Sequence, residues 1–125
     1  MSDPRKQDVG RASYLAGQSA EDCVLRHYEA RGLTLAKSRW RGKAGEIDLI
    51  LREGAVLVFV EVKKSKSFDR AAVRLQPKQI QRLMQAAEEF SGGEPQGLLT
   101  EMRFDVALVN GQGQVHILEN ALWDF

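Results

Sequence analysis

The chain has 125 residues, 43% of them apolar and 28% charged, with a formal net charge of +1. That composition fits one soluble domain with a sizeable core. The lone cysteine, Cys23, excludes an internal disulfide, and no stretch approaches the roughly 20 apolar residues that cross a bilayer. Residues 1–10 carry charges with no apolar run behind them, so they do not read as a secretory signal, and a cytoplasmic location is the expectation. The charge is unevenly placed. Lys63, Lys64, Lys66, Arg70, Arg74, Lys78 and Arg82 face a single acid, Asp69, in one segment, whereas from Leu83 onward Arg103 is the only Lys or Arg. Such asymmetry suits a one-sided positive field, although a solvated basic loop and helix face would look the same.

Residues 1–11 are polar and expected to be a flexible lead into one domain over 12–125. Spacing predicts a helix from Ala12 to Arg31, closed by Gly32, with Gly17, Ala20, Val24, Leu25 and Tyr28 as its buried stripe. Glu21 falls within that stripe. A carboxylate there needs a metal or a cation, and the plainer alternative is an arginine paired to it at the stripe's edge. Leu33 to Arg41 reads as a strand. In an extended chain Lys37, Arg39, Arg41 and Lys43 would share one side, suited to a phosphate backbone, with Trp40 between them as a core residue or a stacking platform.

Gly45 to Lys63 reads as a β-hairpin turning at Glu53-Gly54. Val56, Val58, Val60 and Val62 alternate onto one buried face, and Ile47, Leu49 and Leu51 are expected to share a face of the preceding strand. A turn at that place would set Ile50 opposite Leu57, Asp48 opposite Phe59 and Glu46 opposite Glu61. Glu46, Asp48, Glu61 and Lys63 then crowd one end of the sheet, held either by Lys63 or by a divalent metal.

Beyond Lys63 a polar loop anchored by Phe68 leads to a second helix, about Gln76 to Phe90, with Ile80, Leu83, Met84 and Ala87 as its apolar face. Its N-terminal half carries Lys78, Gln79 and Arg82, where the helix dipole favours an anion. Arg103 to Asn110 and Gln114 to Leu118 read as strands around a glycine turn, and the tail is expected to dock Leu122, Trp123 and Phe125. Asp105 is expected first to cap a strand end or pair with Arg103. His27 and His116 lack metal-ligand spacing, Cys23 lacks an assured basic partner, and no phosphate-binding glycine loop is present.

If the first helix crosses the charged end of the hairpin, Glu21, Asp48 and Glu61 supply hard oxygen ligands for Mg²⁺. The Val62 carbonyl can add another ligand. Lys63 can orient or deprotonate a water, or stabilise a developing phosphorane. Mn²⁺ is a natural substitute for the metal.

Asp48 followed by Glu61-Val62-Lys63 resembles the PD-(D/E)xK motif of restriction endonucleases and Holliday-junction resolvases. Glu21, Gly45-Glu46-Ile47-Asp48-Leu49-Ile50, Val58-Phe59-Val60-Glu61-Val62-Lys63, Lys78-Gln79 and Arg103-Phe104-Asp105-Val106 together resemble the YraN-type family of predicted bacterial endonucleases, over roughly Gly17 to Leu118. The resemblance implies an α/β fold with a restriction-endonuclease-like αβββαβ core, a central mixed sheet flanked by helices. It also implies Asp48, Glu61 and Lys63 as motif positions, Glu21 as the helix carboxylate and Gln79 as a polar residue that helps hold the site. Ser65 and Asp69 stand where the family often has Arg and Gly, both in the loop beside the site.

The leading expectation is therefore a Mg²⁺-dependent endonuclease acting on DNA, with branched or single-stranded DNA as candidate substrates. Catalysis falls to Glu21, Asp48, Glu61, Lys63 and Gln79, and DNA contacts to Arg39, Arg41, Lys43, Lys64, Lys66, Arg70, Lys78 and Arg82. The alternatives are a nucleic-acid-binding or adaptor protein whose nuclease-like site is weak or idle, and carboxylates satisfied by Lys63, Lys43 and arginines without a metal. Related resolvases work as dimers, which makes a homodimer an expectation, though no exposed apolar stripe demands one.

Overall fold

The computed structural model describes residues 20–68 and 77–121. Helix α1 covers residues 20–29 of the described chain and is followed by strands β1 (Thr34–Arg41), β2 (Glu46–Glu53) and β3 (Val56–Lys64). Helix α2 (Pro77–Ser91), one 3-10 turn at Gly97–Leu99, β4 (Met102–Val109) and β5 (Val115–Leu118) complete it. The expected start of the first helix, including Gly17, the loop residue Arg70 and the tail residues Leu122, Trp123 and Phe125 lie outside the described residues.

The five strands lie in the order β1-β2-β3-β4-β5. Only β3 and β4 run parallel; the other neighbours are antiparallel. A parallel pair needs a crossover, and α2 lies in it. β3 is the middle strand, so both of its faces are covered and Leu57, Val58, Phe59 and Val60 are buried in succession. On one face Ala20, Val24 and Tyr28 of α1 pack against Leu49, Leu51, Val58, Val60, Ala107 and Val109. On the other, Ala86 and Ala87 of α2 meet Ile50, Leu57, Phe59 and Phe104. The result is a three-layer α/β/α arrangement, consistent with the restriction-endonuclease-like core that the family resemblance implied.

Three local expectations need correction. The hairpin turns at Gly54-Ala55, because Glu53 pairs with Val56 and Gly54 takes φ 58, the left-handed conformation that short hairpin loops favour. The register is therefore two residues from the expected one, with Ile50 opposite Phe59 and Leu49 opposite Val60. A shift of two keeps every side chain on its face. It makes Asp48, rather than Glu46, the next position beyond the last pair on the way to Glu61.

The second correction concerns Ile47, which does not share a face with Leu49 and Leu51. Ile47 and Trp40 pack on the α2 side, whereas Leu49 packs on the α1 side. β1 and β2 exchange faces together at Arg39 and Asp48, the positions between the pairs Ser38–Leu49 and Trp40–Ile47. Arg39 has φ 50, which breaks the alternation, and a register shift between Leu35 and Lys37 breaks it again. The expected row of Lys37, Arg39, Arg41 and Lys43 on one side therefore does not form. Trp40 is part of the core edge, 5.4 Å from Phe90 in an edge-to-face contact.

Met84 is the third correction: it is 42% exposed, and Ala86 and Ala87 carry the contact instead. Phe59 and Phe104, stacked at 5.3 Å, fill the layer beneath α2 and leave space for alanine rather than methionine.

A buried polar cluster ties the layers together. Asp105, 2% exposed, accepts from Tyr28 Oη at 2.7 Å, Arg103 Nε at 3.0 Å, Arg103 Nη2 at 3.1 Å and the Asn120 backbone N–H at 3.1 Å. Burial, then the hydrogen bond to Asp105, raises the Tyr28 phenol well above its ordinary pKa. The Arg103 partnership is the one expected from sequence; the bond from α1 is new, because Tyr28 and Asp105 lie 77 positions apart.

Candidate active site

Asp48 leaves the ladder at the point where β1 and β2 exchange faces. Its Oδ2 accepts the Val62 backbone N–H at 2.8 Å, so a side chain takes the donor that a β2 carbonyl would otherwise receive. This bond fixes the carboxylate against the C-terminal end of β3, where Glu61, Val62 and Lys63 stand. In a strand the N–H and C=O of one residue face the same side, so the Val62 carbonyl also faces β2.

Glu61 lies within the field of the Asp48 carboxylate and ion-pairs with Lys63, whose Nζ is 3.4 Å from Oε1. Ile47, Phe59, Leu83 and Phe104 line the small void of about 10 Å³ beside it. Burial in that apolar surround, followed by the negative charge of Asp48, raises Glu61 to about 7; Lys63 opposes the rise. Asp48 is raised as well, first by burial and then by the charges of Glu21 and Glu46, against the Val62 hydrogen bond. Burial and mutual repulsion thus disfavour ionisation of both carboxylates together, a cost that a divalent cation would offset.

Glu21 reaches this point from α1, but a cation already holds it. Arg39 Nε donates to its Oε2 at 3.0 Å, with the Glu21 side chain 20% exposed. The hydrogen bond to Glu21, then its charge, raises the Arg39 pKa, with Glu46 and Asp48 adding to the effect. The plainer expectation for Glu21, an arginine at the stripe's edge, is what the structure shows. Among the described residues, no group of three or more His, Cys, Asp or Glu side chains is arranged to hold a metal ion. Asp48 and Glu61 nevertheless fit Mg²⁺, which commonly takes one or two carboxylates and completes its shell with waters and substrate phosphate.

Gln79 is half-buried in the first turn of α2, one turn before Leu83, which lines the void beside Glu61. The basic residues are spread around this end of the sheet. Arg41, exposed, pairs with Glu46 at 3.2 Å. Lys43 is exposed in the β1–β2 turn, and its backbone N–H donates to Glu89 of α2 at 2.9 Å. Exposed Arg82 lies over the other end of this turn: a Cβ on Gly45 would come within 2.7 Å of its Cδ. Lys78 is exposed on α2, as are Lys64 at the end of β3 and Lys66 beyond it. The segment after β3 is pinned by Ser65 N–H donating to Val109 O at 2.9 Å and Gly111 N–H donating to Lys66 O at 3.3 Å.

Sequence reasoning missed the Glu89 and Arg82 clasps on the β1–β2 turn. Gly42 and Gly45 were the available signal, since a Cβ on Gly42 would come within 2.4 Å of Glu89 Oε2 and 2.5 Å of the Trp40 ring. Packing makes both of them tight contacts.

The raised Glu61 carries a sign that can be measured. A carboxyl at about 7 when folded and 4.5 ordinarily stays protonated in the native state over a range in which the unfolded chain has released the proton. Stability of the metal-free protein therefore falls as pH rises through that window. Urea unfolding is expected to show a loss of roughly 1–2 kcal/mol between about pH 5 and pH 8, after discounting for solvent screening. Glu61→Gln should flatten the profile. An unchanged slope in that variant would assign the effect elsewhere.

The sequence profile of Uncharacterised protein family UPF0102 matches residues 20–109. A UPF0102 protein of Roseobacter denitrificans is 60% identical over 114 residues, covering 91% of this chain and 88% of the relative. A UPF0102 protein of Cereibacter sphaeroides is 57% identical over 112 residues, covering 90% and 96% respectively, and one of Ruegeria pomeroyi is 57% identical over 112 residues, covering 90% and 91%. These matches span α1 through β4, the same elements that bring Glu21, Asp48, Glu61 and Lys63 to one end of the sheet, and they bear out the YraN-type resemblance. The chain belongs to the UPF0102 family.

Proposed function

We propose that this protein hydrolyses phosphodiester bonds in DNA with Mg²⁺, as a cytoplasmic endonuclease whose substrates include branched or single-stranded DNA. The observation that carries the reading is the pair Asp48–Glu61, pressed together by the Val62 hydrogen bond and apolar burial, with Lys63 3.4 Å from Glu61. A buried pair of like charges disfavours its own ionisation, and structural needs alone would be met at least as well by apolar residues. Such arrangements cluster where chemistry is done.

In this reading Asp48, Glu61 and the Val62 carbonyl would hold the metal, with Glu21 a further ligand once released from Arg39. A metal held there would supply a water of lowered pKa and polarisation of the phosphodiester. Lys63 orients the attacking water and balances charge that develops on the phosphate oxygens. The exposed Arg41, Lys43, Lys64, Lys66, Lys78 and Arg82 hold the phosphate backbone, which predicts affinity that falls with salt. Gln79 supports the site from α2, and Arg70 is retained as a candidate contact from its place in the sequence.

A second reading, DNA binding with little or no cutting, draws on the ion pair that occupies Glu21. The deciding assay incubates plasmid, linear, single-stranded and branched DNA with the protein and Mg²⁺ or Mn²⁺, beside Lys63→Ala. Metal-dependent cutting that falls about 10²-fold or more in Lys63→Ala is the expected result. Cutting that survives unchanged would remove Lys63 from the mechanism. Salt-sensitive binding without cutting would favour the second reading, with size-exclusion of the same samples showing whether a homodimer forms.

A further inference from the structure

Arg39 stands where three features meet. It is a non-glycine residue with φ 50 inside a strand, a conformation that L side chains seldom adopt. It lies across from Asp48, between the pairs Ser38–Leu49 and Trp40–Ile47. Its guanidinium binds Glu21, yet its side chain is 50% exposed while that of Glu21 is 20% exposed. Beside the pair opens a groove of about 280 Å³ lined by Glu21, Asp22, Leu25, Leu35, Ser38, Arg39 and Leu49, with Arg39 as its only cation. The guanidinium can therefore be approached from solvent without moving the core.

We propose that Arg39 is a positioning residue that couples DNA binding to metal binding by exchanging partners. Without DNA it holds Glu21 away from the metal. When a DNA phosphate meets the half-exposed guanidinium from solvent, the guanidinium transfers to it and Glu21 turns to the metal beside Asp48 and Glu61. The chemistry favours both halves of the exchange. A guanidinium matches the geometry and charge of a phosphate, and a freed carboxylate is a hard ligand suited to Mg²⁺. The coupling is reciprocal: whatever DNA adds to metal affinity, metal adds to DNA affinity. It also keeps the site incompletely assembled until a phosphodiester is present. The inference rests on the metal-dependent nuclease reading.

The test is binding rather than turnover. Mn²⁺ is titrated into the full chain without DNA, with free Mn²⁺ read by electron paramagnetic resonance, for wild type, Arg39→Asn, Glu21→Gln, the double variant and Asp48→Asn. Asn tolerates positive φ, and Arg39→Gly is the second variant should Asn perturb folding. Arg39→Asn is expected to bind Mn²⁺ about 5-fold or more tightly than wild type, a gain that disappears in the Glu21→Gln background. In EDTA the same variant should bind DNA several-fold more weakly. Equal Mn²⁺ affinity in wild type and both Arg39 variants, with Asp48→Asn still weakening it, would overturn the exchange while leaving the metal site standing. The absence of any Asp48-dependent Mn²⁺ binding would overturn the metal site and the exchange together.

Discussion

Asp48→Asn is expected to lower metal-dependent DNA cleavage by about 10³-fold, equivalent to roughly 4 kcal/mol of transition-state stabilisation, while leaving the fold as stable as wild type or more so. The two halves of this result have one cause. Asn keeps an oxygen that can accept the Val62 N–H, now held at 2.8 Å, so the end of β3 stays anchored. It removes one negative charge from beside Glu61, whose carboxyl the Asp48 charge helps to raise. The proposed metal loses a charged ligand, and the folded protein loses a repulsion. Thermal unfolding and initial cleavage rates on one preparation would measure both. Asp48→Ala separates the roles, because it also leaves Val62 without its acceptor and is expected to destabilise by about 1–3 kcal/mol. Cleavage by Asp48→Asn at the wild-type rate would place the chemistry away from this pair.

The largest stability effect is expected at a different carboxylate. Asp105→Ala should destabilise the protein by about 3–5 kcal/mol, because it strands the Arg103 guanidinium beside the core and leaves the Tyr28 hydroxyl and the Asn120 N–H without their acceptor. For a chain of this size that is a fall in Tm on the order of 10–20 °C. Tyr28→Phe removes only one of the four bonds and should cost about 0.5–1.5 kcal/mol. Urea unfolding of the two variants distinguishes a network that anchors α1, β4 and the segment at Asn120 from a single local contact. Similar losses for both would mean that the Tyr28 bond dominates and that Arg103 finds other partners, Glu53 at 3.4 Å being the nearest candidate. Asp48 and Asp105 thus have opposite expectations: the former is poorly neutralised and poised for chemistry, the latter fully satisfied and structural.

That contrast was only partly legible from the chain. Both aspartates sit in strands among apolar residues, and the pairing of Asp105 with Arg103 follows from their two-residue spacing, which puts them on one strand face. Tyr28 could not be found in the same way, since nothing in a helical stripe tells which residue across the sheet its hydroxyl meets. The hairpin shows the same division. Alternation in β3 placed Val56, Val58, Val60 and Val62 correctly against α1. It misassigned the turn by one residue and the register by two, because a register shift of two leaves the apolar pattern unchanged. Turn geometry had to decide, through Gly54 at φ 58.

By itself the sequence determined the order of elements, the buried valine face of β3, the apolar stripe of α1 and the Glu61-Val62-Lys63 ending of β3. These are carried by periodicity and by local residue chemistry, which act over a few positions. Tertiary structure alone decided the polar pairings between residues far apart in the chain. Arg39 leaves the basic row because a left-handed backbone turns β1 over at that residue, and its guanidinium reaches a glutamate 18 positions earlier. Asp48 reaches Val62 because the regular β2–β3 ladder ends one pair before it. Charge pairing acts through space and the hydrophobic pattern through spacing along the chain, so only the folded sheet places Asp48 within the fields of Glu21 and Arg39 on one side and of Glu61 and Lys63 on the other.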